Sequence, residues 1–180
     1  MEGMDYAFMG AKGSIVDAGA FVERVNRFAL ENRIAVQFMN ARMVYGKEHL
    51  LSALVHAVRS LEQGRNSASS PALEMLLYAC GEKQISAALG KMGVISGEVG
   101  LAACFASVPG MAGCDGHMPT ESELVNFIEK LGLRRDDAVM KGTPEKLFAL
   151  GISAQEAATV GVKRYVDLVL EKVAMTDILQ

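Results

Sequence analysis

The sequence predicts an α+β fold: a single domain over 1–180, with a small, mostly antiparallel sheet of about three to four strands packed with several helices, the last of them long. Three observations lead there. Runs with strand character are few and short. Stretches with apolar residues at helical spacing are more numerous, and most carry start or stop signals. At 180 residues, 51% of them hydrophobic, the chain suits one domain that buries its core without staples.

Taken in order, Tyr6–Gly10 and Ile34–Val44 read as strands, with Val36 and Phe38 facing opposite to Gln37 and Met39. Between them, Phe21, Val25, Phe28 and Ala29 fall at helical spacing behind Asp17, a suitable N-cap. Lys47–Leu61 is a second helix, with Leu50, Leu54, Val58 and Leu61 on one face. The polar "GRNSASS" is a loop, after which Ser70 and Pro71 supply an N-cap and a first helical residue, and Gly81 a left-handed stop. Ile85, Ala88, Leu89 and Met92 form a short helix closed by Gly93. "VGLAACFAS" reads as a buried strand, and 109–120 is the one linker candidate. Thr120 with Glu123 forms a capping box, Thr143 with Pro144 opens a short helix that Gly151 stops, and Ser153 with Glu156 opens a long helix over roughly Ala154–Met175.

Composition narrows the function classes. Apolar runs fall far short of the roughly 20 residues that a membrane helix needs, and "MEGMDYAFMG" has no basic segment leading into an apolar core, so no signal peptide is expected. Three cysteines, an odd number, fit a reducing cytoplasm better than a disulfide framework. Net charge is −3, yet residues 42–91 carry six basic and four acidic side chains. That segment permits a local phosphate contact but not strong binding to a duplex.

The chemistry-bearing residues form no catalytic constellation. Cys80 could be a nucleophile beside Lys83, but a helix pattern precedes it and no general base lies in the motif; a small residue at a helix end is the simpler reading. Cys114 and His117 have C-x-x-H spacing, with Cys104 as a third zinc ligand, but a paired C-x-x-C is missing. No glycine-rich phosphate loop stands between a strand and a helix. Neither a metal nor a cofactor is expected. His49, Ser52, His56 and Arg59 make a polar stripe opposite the apolar face of the second helix. Gly81, Lys83, Gln84 and Ile85 form a helix–glycine–helix corner whose backbone N–H groups suit a phosphate or ribose, with Lys91 two turns further on. In the last helix Val162, Tyr165, Val166, Val169 and Val173 supply one buried stripe. Leu168, Leu170, Met175, Ile178 and Leu179 widen it beyond one core contact, which fits a partner site and burial in a longer helical bundle equally well.

At these residues the chain resembles a known family. "YGKEHLLSALVHAVRSLEQGRN", "LEMLLYACGEKQISAALGKMGV" and "SAQEAATVGVKRYVDLVLEKVAMTDIL" together look like the small kinase-binding subunit of the KEOPS complex, the TPRKB family. The likeness is strongest to its archaeal branch, whose signature reads close to Y-A-S-G-x-R-Q-I. Cys80 stands where serine is usual and Lys83 where arginine is usual, which keeps the charge but loses the planar fork.

The resemblance implies a non-catalytic cytoplasmic protein. Its partner would be the atypical KEOPS kinase subunit, which it stimulates; it would meet the other KEOPS subunits indirectly and hold the CCA tail of tRNA during threonylcarbamoyladenosine formation. The expected tRNA contacts are His49, Ser52, His56, Arg59, Gly81, Lys83, Gln84, Ile85 and Lys91. The expected kinase contacts are Leu168, Val169, Val173, Met175, Ile178 and Leu179. Two rival readings are a small-metabolite enzyme using a cysteine, and a protein-interaction module without an RNA role; a deep polar pocket beside a cysteine would favour the enzyme.

Overall fold

The computed structural model describes residues 3–179, the last by its backbone only. In chain order the elements are β1 (Asp5–Ile15), α1 (Ala18–Asn32), β2 (Ala35–Asn40), α2 (Gly46–Glu62), α3 (Pro71–Cys80), α4 (Ile85–Met92) and β3 (Gly97–Ser107), then α5 (Glu121–Lys130), β4 (Leu133–Arg135), α6 (Pro144–Ala149), α7 (Ala154–Ala158) and α8 (Tyr165–Leu179). The four strands form one antiparallel sheet in the order β2-β3-β1-β4, as an α+β chain of this composition should. Two compact units result: a sheet unit up to Asn40 and over Val94–Val139, and a helical unit over Ala41–Gly93 and from Met140 onward.

In the sheet unit, β1 and β3 pair over their full length, from Asp5 opposite Ser107 to Ile15 opposite Gly97. The first strand therefore runs past its expected end at Gly10. Its second half, Ala11–Ile15, lacks the strand signature but finds a partner in β3 at every residue and in β4 at 11–13. The three-residue β4 carries no alternation and was not foreseen. The second strand is shorter than expected: it ends at Asn40, where the chain enters a 3-10 turn (Ala41–Met43) that buries Ala41 and Met43. One sheet face carries Met9, Ala11, Val36, Phe38, Leu101, Ala103 and Phe105 into a core closed by Phe21, Val25, Leu124, Phe127 and Ile128 from α1 and α5. Phe28 of α1 stacks on Phe127 of α5 at 3.8 Å between ring centroids.

The 109–120 stretch is no linker. It lies inside the sheet unit, tied back by Gly116 N–H donating to Arg33 C=O (2.7 Å), Ser107 Oγ–H to Gly116 C=O (2.6 Å), and an Arg33–Asp115 ion pair (2.6 Å).

In the helical unit, α3 is the central element: every residue but Ala72 and Leu73 is buried. Ser70 caps it, accepting from Leu73 N–H, and Pro71 occupies the first turn, where its missing N–H costs nothing. Helix α2 packs on both α3 and α8. The capping box of Ser153 and Glu156 forms, yet the helix that it opens ends after five residues. Gly161 is extended (φ −73°, ψ 155°) after the β-branched pair Thr159–Val160, and α8 starts afresh at Tyr165. The expected single helix is thus two, and Val162 is exposed instead of continuing the buried stripe.

His49 is fully buried on α2, its Nδ1 accepting from Tyr45 N–H (3.1 Å) and its Nε2–H donating to Ala79 C=O (2.8 Å). Burial pushes its pKa down to about 4 from the usual 6.5. The native protein therefore stays neutral there while the unfolded chain takes up a proton, so this contribution is whole above pH 6.5 and is lost as pH falls toward 4. Between pH 7.5 and 4 it should remove about 3 kcal/mol of stability. His49→Gln should flatten that part of the profile, as urea unfolding at a series of pH values would show.

Candidate functional site

The corner after α3 is built by its backbone. Gly81 takes the left-handed conformation (φ 67°) as the α3 C-cap, with Gly81 N–H donating to Tyr78 C=O (3.2 Å) and Glu82 N–H to Leu77 C=O (3.0 Å). The chain turns at once into α4, whose N-cap Gln84 makes no side-chain cap bond. Lys83 and Gln84 are exposed, and Ile85 is half-buried. Lys91 is ion-paired with Glu82, which raises its pKa and offsets its charge. Lys83 remains the outward cation of the turn.

The corner does not stand alone. Lys172 of α8 lies across Gly81, where a Cβ would sit 3.0 Å from its Cε. Gly81 forms one wall of a groove of about 470 Å³ whose other walls include Ile152, Leu168, Lys172 and Met175. Gly81 of the expected RNA corner and Leu168 and Met175 of the expected kinase helix, about ninety residues apart in the chain, therefore line one groove.

A partly buried polar chain links α2, α3 and α8. Tyr78 O–H donates to Asp177 Oδ1 (2.5 Å), and His56 Nδ1 meets Asp177 Oδ2 (2.7 Å) while its ring stacks near Tyr78. Burial acts to raise the Asp177 pKa, but the hydrogen bonds from Tyr78 and His56 outweigh it and hold the carboxyl below the usual range. Burial, then the bond to Asp177, pushes the Tyr78 hydroxyl up to about 12. Deeper still, the Glu74 carboxylate accepts from Ser60 Oγ–H (3.1 Å), Ser67 N–H (3.1 Å) and Ala68 N–H (2.7 Å), pinning the "GRNSASS" loop.

The expected site residues divide accordingly. Of the α2 stripe, His49 is buried, Ser52 and His56 are half-buried, and Arg59 is exposed. Apart from Arg59, that face is largely covered, because α2 is packed on two sides. Val169 and Val173 are each 1% exposed and face the core, whereas Met175 and Ile178 are exposed and Leu168 lines the groove. The side chain of Leu179 lies outside the described residues. Sequence reasoning missed Tyr78, Lys172 and Asp177. Asp177 alone gave a signal, as the single charge in the apolar run "VAMTDIL".

The cysteines are ill suited to nucleophilic chemistry. Burial pushes the Cys80 thiol up to about 11, and its Sγ–H points to Leu77 C=O. Cys104 is raised further by complete burial, and Cys114 also by burial. Among the described residues no three His, Cys, Asp or Glu side chains are placed to hold a metal ion. No helix among them is long and apolar enough to cross a membrane. Neither this groove nor a second one, between α1 and α5, is lined by a cysteine.

A sequence profile of the family described as kinase binding protein CGI-121 matches residues 15–177. The chain belongs to that family. The match runs from the last residue of β1 into α8 and takes in both the corner and the groove. The likeness to the small kinase-binding subunit of KEOPS thus holds at family level. No curated protein matches the chain individually.

Three outcomes follow for this CGI-121 family member. Gly81→Ala places a Cβ at positive φ and against Lys172, and should cost about 1–2 kcal/mol in urea unfolding, with the steric part relieved in a Lys172→Ala background. Cys80→Ser should change stability by about 1 kcal/mol or less, because the hydroxyl can keep the bond to Leu77. Native Cys80 should alkylate with iodoacetamide much more slowly than in urea.

Proposed function

We propose that this chain is a non-catalytic KEOPS subunit that docks on the atypical kinase, stimulates it, and holds the CCA tail of tRNA while another subunit transfers the threonylcarbamoyl group. The observation that carries the reading is the shared groove, where the glycine corner with its exposed Lys83 and Gln84 adjoins Leu168 and Met175 of α8. Exposed apolar side chains at the end of a helix supply the burial that a protein partner needs. A backbone corner with one cation and one amide suits a short single-stranded end better than a duplex. A net charge of −3 argues the same way.

Kinase docking is assigned to Met175 and Ile178 with Leu168, and tail binding to Lys83 and Gln84. Val169, Val173 and His49 act by holding α8 and α2 in place. Truncation before Met175 is a poor test, since it removes the buried Thr176 and the Asp177 carboxylate with the surface.

Point substitutions separate the roles. Met175→Ser with Ile178→Ser should weaken kinase pull-down at least tenfold while leaving tRNA affinity within about twofold. Lys83→Glu should do the reverse, weakening tRNA about tenfold at low salt. Trimming the CCA tail should weaken binding of the unmodified protein about tenfold. Equal affinity for trimmed and intact tRNA would refute the tail assignment.

A further inference from the structure

The second groove, of about 420 Å³, lies between α1 and α5 in the sheet unit and is lined by none of the residues assigned above. Three cations converge on it: Arg24 and Arg27, one turn apart on α1, and Lys130, the last residue of α5. Arg24 Nη2–H donates to Lys130 C=O, which brings the two helices' charges together at one end of the cleft. The floor is the stacked Phe28–Phe127 pair, Phe28 half-buried and Phe127 buried, with Asn126 exposed along one wall and the Asn32 amide donating to Phe28 C=O (2.9 Å).

Two carboxylates oppose the cations. Glu123 is committed to its capping box, accepting from Thr120 N–H (2.8 Å) and Thr120 Oγ–H (2.7 Å), bonds that hold its pKa down. Glu31 is the remaining acid.

We propose that this cleft is a second, sequence-independent contact for the tRNA ligand of the reading above, with Arg24, Arg27 and Lys130 on backbone phosphates and the partly exposed Phe28 against an unpaired base or sugar. Cations, an aromatic floor and side-chain amides in one open cleft are what a single-stranded or frayed nucleic acid uses. An acidic peptide would use the cations and leave the aromatic floor idle. In a chain of net charge −3, three cations at one cleft are not a product of general basicity. The contact would supply the part of the affinity that does not depend on the CCA tail.

The test titrates the full chain with tRNA trimmed of its CCA tail, at several salt concentrations, beside intact tRNA and poly-glutamate. Arg24→Gln with Arg27→Gln should weaken trimmed-tRNA binding fivefold or more, and make the log–log salt dependence shallower by about 1.4, two single-strand phosphates at about 0.7 each. Glu31→Gln removes the opposing acid without touching a cap, and should tighten binding two- to threefold. If the double variant does not fold, Glu31→Gln alone decides the matter. Unchanged affinity and slope overturn the proposal, as does a wild-type chain that ignores trimmed tRNA. Poly-glutamate binding that the double variant loses, with RNA binding unaltered, assigns the cleft to an acidic protein and also overturns it. The extra affinity conferred by an intact tail should be equal in wild type and variants. Its absence from the wild type would refute the tail reading alone, leaving the trimmed-tRNA comparison to judge the cleft.

Discussion

The hydroxyl of Tyr78 sets the geometry of the helical unit. It belongs to the last turn of α3, where Tyr78 is fully buried, and needs a partner inside the protein. Asp177, 99 residues away in the chain, supplies it and accepts from His56 of α2 with its other oxygen. One carboxylate thus joins three helices. A hydrogen bond to a charged group stabilises by about 1.5–3 kcal/mol, but removing one member of a buried pair costs more, because it leaves the other without a partner. The α8 register is therefore held at its far end by a polar constraint and along its length by Val169 and Val173. Leu168, Lys172 and Met175 line the groove because of that register.

The same rigidity accounts for the corner. Helix α3 is buried almost throughout, so its end cannot fray, and the left-handed Gly81 turns the chain within a single residue. Lys172 covers the bare backbone there, and any side chain at that position would have to displace it. Chemistry is kept out by the same burial: Cys80, at the last helical residue, is enclosed and its thiol is held protonated. The surface left at the corner presents backbone, Lys83 and an amide.

Charge is distributed with similar economy. Lys91 pairs with Glu82, and Arg135 with Glu121 (2.5 Å) and Asp137 (3.4 Å), exposed pairs that add little stability. Their consequence is electrostatic, since each cancels a cation that sequence alone would count toward an anion site. The cleft between α1 and α5 differs, because one of its two acids is held by a helix start.

Local signals in the sequence determined most of the elements. The caps at Asp17, Ser70, Thr120 and Ser153, the Gly81 stop and the burial pattern of "VGLAACFAS" all act within a few residues, and all are realised. The motifs around the corner also carried the family. Only the tertiary structure decided the rest. The second half of β1 is a strand because β3 and β4 flank it, not because its residues favour one. The helix expected to run on from Ala154 ends at Ala158, since a cap states where a helix begins and nothing about how far it runs. His49 belongs to the core because α2 is packed on two faces, and periodicity shows which residues share a face without showing how many faces are covered. The meeting of Gly81 with Leu168 and Met175 depends on contacts between residues about ninety positions apart, which no local pattern encodes.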